Sequence, residues 1–348
     1  MPDFLLYGAT GYTGELIARA AVAERLRPRL AGRRPAVAAL ADELGLEHRL
    51  FPLDDAGALR AALADVPLVL HCAGPFGATH WPVAEACLAT GRHYLDLTGE
   101  IAVFESLAAR DGAAAAAGAM LLPGVGFDLV PSDCLASRVV AALPAATHLT
   151  VAVQHLPWRD ARGRWRNPTI SRGTAATLVR AQTRGAVRRG GRLVEVPLAA
   201  RLRWIDLGAG PTSVALFPLG ELAALYCSTG IASIDAYVAL PWPAALALRH
   251  LAPLLAAVPL PRLLPARGPG GEELARGRSL VWVEATDPSR GRATARLRAP
   301  GGYAFTVRSA LAAVRAVLAG RARPGFQTPA TAFGPDFVCE VDGVELLS

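Results

Sequence analysis

Four apolar residues, Phe4 to Tyr7, open the chain, followed by a run of small residues from Gly8 to Gly14 and then by apolar positions at Leu16, Ile17, Ala20 and Ala21. The first run suits a strand buried on both faces, and the later spacing suits one face of a helix. Short apolar runs recur at Arg29–Ala31, Arg49–Leu53, Leu68–Cys72, His93–Leu97 and Met120–Pro123, with helical patterns between them. Strands alternating with helices predict a doubly wound parallel sheet of six strands, a Rossmann-type α/β domain over residues 1–127.

Beyond residue 128 the pattern changes. Strand-like runs at Leu149–Val153, Ser213–Phe217, Leu280–Thr286 and Ala293–Leu297 mix with helices, and Asp287-Pro288-Ser289-Arg290-Gly291 reads as a hairpin connection. The expectation is a second, α+β domain over 128–318 with a mainly antiparallel sheet and a closing amphipathic helix, Ser309–Leu318. A tail over 319–348 is expected to fold back toward the first domain.

The small-residue run gives this layout a chemical meaning. Gly8-Ala9-Thr10-Gly11-Tyr12-Thr13-Gly14 stands between a strand and a helix, where backbone N–H groups and the helix dipole favour an anion such as a dinucleotide pyrophosphate. Gly8 serves the tight turn, Gly11 the approach of phosphate and Gly14 the packing of helix on strand. After the second strand come Gly32-Arg33-Arg34, where a chain selective for NAD carries an acid for the ribose hydroxyls. Arg33 and Arg34 match a 2′-phosphate instead, so the expected cofactor is NADP. Cys72-Ala73-Gly74-Pro75-Phe76 closes the fourth strand, where the turn is expected to approach the nicotinamide ribose.

Composition narrows the alternatives. The 348 residues are 52% apolar, ample for two cores, and the formal charge is +7. All 36 basic residues are arginine, which reads as coding bias rather than a nucleic-acid footprint, so no nucleic-acid partner is expected. Ten arginines (Arg159, Arg162, Arg164, Arg166, Arg172, Arg180, Arg184, Arg188, Arg189 and Arg192) share a stretch whose single acid is Asp160. They form either a solvated rim or a docking surface for an acidic or phosphorylated partner such as an acyl carrier. The five cysteines show no close pair and, like the seven-residue spacing of His148 and His155, offer no metal site. No signal peptide is read at the start, so a cytoplasmic location is expected. The lipophilic stretch Ala236–Leu264 carries five prolines, Arg249, His250 and Arg262, which rules out one transmembrane helix. A substrate wall, an interfacial helix with peripheral membrane contact, buried core and a homodimer contact stay open for it.

Lysine is absent, and that removes two chemistries. A short-chain reductase needs a Tyr–Lys pair, and Schiff-base catalysis needs an amine. A third candidate, the N-acetyl-glutamyl-phosphate reductase type, shares a similar glycine start but needs a cysteine thiolate. Cys134, the one thiol placed for it, lies in a helix interior beside Asp133, a poor setting for a thiolate.

Several blocks together resemble the bacterial saccharopine dehydrogenase-like oxidoreductases, in particular the branch of trans-acting enoyl reductases. They are Gly8–Gly14, Cys72–Gly77, Ala86-Cys87 with Gly91–Glu100, Gly124–Asp128 running into Pro131-Ser132-Asp133, Ser171–Thr174, Gly302-Tyr303, and Thr328–Ala330 with Phe333-Gly334. The resemblance implies a two-domain, NADP-type reductase. Other readings exist for single residues. Thr98 and Glu100 could cap the following helix and complement its dipole, Ser132 or Asp133 could cap the helix after residue 128, and Thr174 could be an N-cap or part of a second anion site.

The expected function is an NADPH-dependent oxidoreductase delivering hydride to an apolar enoyl or acyl substrate, either a small molecule or carrier-linked. Such a reaction needs a polarised carbonyl and a proton donor, and Tyr94, Asp128 and Ser132 are the candidates. The alternatives are a saccharopine-type reductase of an amino-acid imine and a non-catalytic NADP-binding partner protein.

Overall fold

The computed structural model describes residues 2–169, 185–255, 268–289 and 291–347. The chain forms two compact units, Met1–Phe127 with Thr306–Gly334, and Asp128–Phe305 with Pro335–Ser348.

The first unit is built on a parallel sheet. Its strands are β1 (Phe4–Tyr7), β2 (Pro28–Gly32), β3 (His48–Leu50), β4 (Leu68–His71), β5 (His93–Asp96) and β6 (Met120–Leu122). A seventh, two-residue strand, Gly325–Phe326, lies beside β6, giving the spatial order Gly325–Phe326, β6, β5, β4, β1, β2, β3. The order reverses between β4 and β1, which is the topological switch point where open α/β sheets bind ligands. Helices α1 (Tyr12–Ala23), α2 (Ala36–Leu44), α3 (Ala56–Leu63), α4 (Phe76–Thr90), α5 (Ile101–Ala108) and α6 (Asp111–Ala116) connect the strands. Strands β1 and β4 are buried throughout, as their continuous apolar runs required, and α1 turns Gly14, Ile17, Ala18 and Ala21 inward.

Two details differ from the sequence expectation. The third strand stops at Leu50 rather than Leu53: Phe51 N still donates to Gly32 O at 3.1 Å, but Pro52 has no N–H to continue the ladder. The seventh strand was not expected, being too short for any periodicity. It is fixed by pairing with Met120 and Leu121 and by Asp111 Oδ1, which accepts Phe326 N–H at 2.8 Å.

The second unit holds a nine-stranded mixed sheet. Its central strand, His148–Leu156, runs parallel to Ser233–Ala239 and antiparallel to Arg278–Asp287, and the other pairings are antiparallel. The expected hairpin joins Arg278–Asp287 to Gly291–Pro300. Helix α7 (Val130–Ala142) and the helix Glu221–Thr229 pack in this unit. The strands Gly185–Arg189, Arg192–Val196 and Leu202–Asp206 went unread because their charged and apolar residues break clean alternation.

The division of the chain after residue 300 also differs from a 128–318 domain with one tail. Thr306–Gly334, including most of the helix Gly302–Leu318, belongs to the first unit, while Pro335–Ser348 belongs to the second, where Glu345–Leu347 pairs with Gly291–Pro300. The lipophilic stretch from Ala236 is a strand end followed by the helix Trp242–Leu255, and residues 256–264 lie outside the described residues. Val238 packs against Leu198 and Phe217, and Leu240 against Ala199, Ala215 and Ala245, so these two side chains serve the core. Among the described residues no helix is long and apolar enough to cross a membrane.

Candidate functional site

In the turn Gly8–Gly14 of the first unit, positions 8 and 14 have no room for a side chain. Gly8 has φ +89°, and a Cβ there would lie 2.7 Å from Ala73 N. A Cβ on Gly14 would lie 2.3 Å from Gly8 O, so only glycine lets α1 approach β1 this closely. Gly8 N donates to Ala31 O at 2.8 Å and Gly11 N to Gly8 O at 3.0 Å, which fixes the loop. Gly11 is the N-cap of α1 and, as a glycine, brings no capping side chain of its own. Ala9 is buried, whereas Thr10, Tyr12 and Thr13 are partly exposed and Gly11 is open to solvent. This is a cradle shaped for a phosphate.

The neighbouring loop stands beside it across the switch point. Cys72 and Ala73 back onto Gly8, and Gly74, Pro75 and Phe76 lead into α4. The Cys72 thiol is pushed up, by desolvation first and by Asp96 second, so it stays protonated. Arg33 and Arg34 follow β2 and are exposed, free of the core and available to a ligand on that edge. A dinucleotide bearing a 2′-phosphate therefore fits: a helix N-terminus capped by glycine, a turn with glycine where strand and helix approach closest, and two guanidinium groups past the second strand.

Of the three residues read as proton donors, two belong together and one does not. Tyr94 is fully buried in the core of the first unit, and its hydroxyl donates to Asp96 Oδ2 at 2.6 Å. Asp96 Oδ1 accepts the Thr98 and Gly124 N–H groups, each at 2.9 Å, so this carboxylate ties the ends of β5 and β6. Desolvation raises Asp96 to about 6 despite these bonds, and it raises Tyr94 further above its ordinary value. Tyr94 is thus a core residue bonded to Asp96, which corrects its reading as a donor to substrate. Glu100, read as a complement to the next helix, points elsewhere: its carboxylate accepts Phe76 N–H at 2.8 Å and Gly77 N–H at 2.9 Å, the first amides of α4.

Asp128 and Ser132 lie in the second unit around a residue that the sequence did not single out. Glu221, 3% exposed, opens the helix Glu221–Thr229, and its Oε1 lies 3.3 Å from Ser132 Oγ. The Ser132 hydroxyl has a second acceptor in Leu129 O at 3.0 Å, so its one hydrogen is shared between Glu221 Oε1 and that carbonyl. Burial pushes Glu221 up to about 8, with further contributions from the charges of Asp128 and Asp133. Asp128 is solvent-accessible, and the surrounding protein still desolvates it enough to raise it to about 6. The signal for Glu221 was its isolation as the sole charged residue between Asp206 and Asp235. An acid in a first helical turn has an ordinary explanation, which hid it.

Other candidates resolve into structural roles. Arg188 is buried, donates to Leu222 O and Gly191 O, and lies over the Tyr226 ring. Arg189 pairs with Asp235 at 2.6 Å, and Arg164 and Arg166 pair with Asp160. Arg188 and Arg189 thus serve the fold, whereas Arg159, Arg162, Arg164, Arg166 and Arg192 are exposed. Ser171–Thr174, Arg172, Arg180 and Arg184 lie outside the described residues. His148 pairs with Asp235 and His155 with Ser279, on different partners. The Cys134 thiol is buried and pushed up, by desolvation first and Asp133 second. Among the described residues no group of three or more His, Cys, Asp or Glu side chains could hold a metal.

Residues 4–122 match the family model of the saccharopine dehydrogenase NADP binding domain. That match agrees with the glycine cradle, the switch point and the paired arginines. Residues 4–122 are thus similar to the NADP-binding domain of saccharopine dehydrogenases. Relatives carry a similar stretch. A trans-acting enoyl reductase of Mycobacterium leprae is 38% identical over 143 residues, covering 38% of this chain and 34% of that protein. A Mycobacterium tuberculosis protein described as a candidate trans-acting enoyl reductase is 37% identical over 140 residues, covering 38% of this chain and 33% of its own. The chain thus matches about a third of the length of these relatives. In fold, the whole chain is similar to saccharopine dehydrogenase (L-Glu forming) from Saccharomyces cerevisiae, with a TM-score of 0.63, full coverage of both chains and 14% identity. At that identity the likeness speaks for the fold.

Proposed function

We propose that the chain is an NADPH-dependent reductase acting on an enoyl group of an apolar, lipid-like thioester, delivered as a small molecule or on an acyl carrier. The observation that carries this is the NADP-binding domain of residues 4–122, whose similar relatives are named enoyl reductases. A titratable pair of the second unit supports the proton half of the chemistry.

Gly8, Gly11 and Gly14 hold the pyrophosphate, Arg33 and Arg34 bind the 2′-phosphate, and the loop Cys72–Phe76 lines the nicotinamide end. The bound nicotinamide supplies a hydride. Reduction of an enoyl thioester leaves an enolate that must be protonated at carbon. Glu221 holds a proton at neutral pH, hydrogen-bonded within reach of Ser132 Oγ, and Asp128 is the accessible acid beside it. In this scheme Asp128, raised to about 6 by desolvation, gives the proton to the substrate, and Ser132 orients Glu221 beside it. A saccharopine-type imine substrate would bring two carboxylates and need unpaired cations.

The test is label transfer. With NADPH deuterated at the transferable hydrogen and a medium-chain enoyl thioester, the saturated product should carry one deuterium at the β-carbon. Asp128→Asn should slow that turnover by roughly a hundredfold while leaving NADPH binding intact. An unlabelled product, or no product from any enoyl thioester, contradicts the proposal.

A further inference from the structure

The loop that enters α4 is held from behind by two side chains that no part of the cofactor site requires to be there. Thr79 Oγ1 donates to Ala73 O at 2.6 Å, with Pro75 O at 3.1 Å, and its oxygen takes a bond from His71 Nε2 at 3.0 Å. His71 is fully buried and kept neutral, its pKa lowered to about 3 by desolvation. This fixes the carbonyl side of the loop. The amide side is fixed from another strand end. Glu100, before α5, reaches across to place one carboxylate oxygen on Phe76 N–H at 2.8 Å and the other on Gly77 N–H at 2.9 Å.

The sequence at position 77 is fitted to that contact. A Cβ on Gly77 would lie 2.9 Å from Glu100 Oε2, too close for any side chain while the carboxylate stays in place. The N-terminus of α4 is therefore filled by an internal anion, whereas α1, across the switch point, starts from a glycine N-cap. First-turn amides have no intrahelical acceptor, so Glu100 supplies what the α4 terminus would otherwise take from water or a ligand.

We infer that Glu100, with Gly77 as its fitted partner, is a positioning residue for the nicotinamide end of the cofactor site: it sets the course of Cys72–Phe76 and reserves phosphate binding for the α1 terminus. This rests on the NADP reading of the first unit. Its effect is local, because Glu100 touches the β4–α4 loop and not the glycine turn or Arg33.

Two ligands separate a local role from a general one. NADPH spans both ends of the site, and adenosine 2′,5′-bisphosphate carries only the adenine end. In calorimetric titrations, Glu100→Gln, which can accept only one of the two N–H groups, should weaken NADPH by roughly tenfold and change the bisphosphate by less than about twofold. Gly77→Ala should do the same. Equal weakening of both ligands, or unchanged NADPH affinity, overturns the inference. A wild-type protein that binds neither ligand overturns the NADP reading itself, and this inference with it. If Glu100→Gln does not fold, Glu100→Asp keeps the charge but is one methylene shorter, and the same pair of titrations applies. Amide exchange provides a direct readout: Phe76 and Gly77 N–H should be protected in the wild type and exchange at least about tenfold faster in the variant. Unchanged exchange at both amides contradicts the clamp.

Discussion

The Tyr94 hydroxyl donates to Asp96 Oδ2 at 2.6 Å, and both residues are fully buried. Asp96 also holds the backbone of Thr98 and Gly124, so the bond lies at the join of two strand ends. Tyr94→Phe removes the donor and leaves a buried carboxylate oxygen without it, a cost of about 1 to 3 kcal/mol. Chemical denaturation should show that loss, with NADPH affinity kept within about twofold. A large fall in turnover with unchanged stability would restore Tyr94 as a proton donor.

Cofactor choice turns on Arg33. Its guanidinium suits a phosphate, so NADPH should bind more tightly than NADH by about 1.5 to 3 kcal/mol. Arg33→Asp should reverse much of that preference in calorimetric titration. Equal affinities of the native protein for both cofactors would count against the assignment.

Gly14 tests the packing that makes the cradle. With Gly8 O only 2.3 Å from the position of an added Cβ, Gly14→Ala must push α1 off β1. Overpacking of this kind costs about 1 to 3 kcal/mol and should also abolish NADPH binding at micromolar protein. A variant of native melting temperature and native affinity would show that the turn tolerates a side chain.

Glu221 predicts a pH dependence of stability. Its pKa is raised to about 8 in the folded protein from an ordinary value of 4.5, chiefly by desolvation. Between those values the folded state binds a proton that the unfolded state has released, so stability is greatest below about 4.5 and falls as pH rises toward 8. Glu221→Gln should flatten the decline of the denaturation midpoint between pH 5 and pH 8, the window these values define. An unchanged slope in the variant would place the pH dependence elsewhere.

Much of the first unit was legible because its signals are local. Buried parallel strands read as apolar runs, and the turn at Gly8 to Gly14 needs glycine for reasons visible in the spacing alone. What escaped reading was contact between distant segments. Glu100 looks like a dipole complement to the helix that follows it, yet it caps a helix that begins at residue 76. Glu221 looks like an ordinary first-turn acid until the fold places it against Ser132. Arg188 and Arg189 look like part of a basic surface, and only the sheet shows one buried beside Leu222 O and the other paired with Asp235. The strand Gly325–Phe326 has two residues and owes its place to Asp111 and β6. In each case the partner lies dozens of residues or more away, beyond the reach of periodicity or capping rules.

Substrate class is the central claim, and NADPH consumption across a set of acceptors tests it most directly. The set should pair enoyl thioesters of increasing chain length with short imino acids, at saturating NADPH. The account predicts turnover with the enoyl thioesters, with kcat/KM rising by up to about 0.8 kcal/mol per buried CH₂ as the chain lengthens, and none with the imino acids. Faster consumption with short polar imino acids than with every medium or long enoyl thioester would contradict it and favour a saccharopine-type reduction.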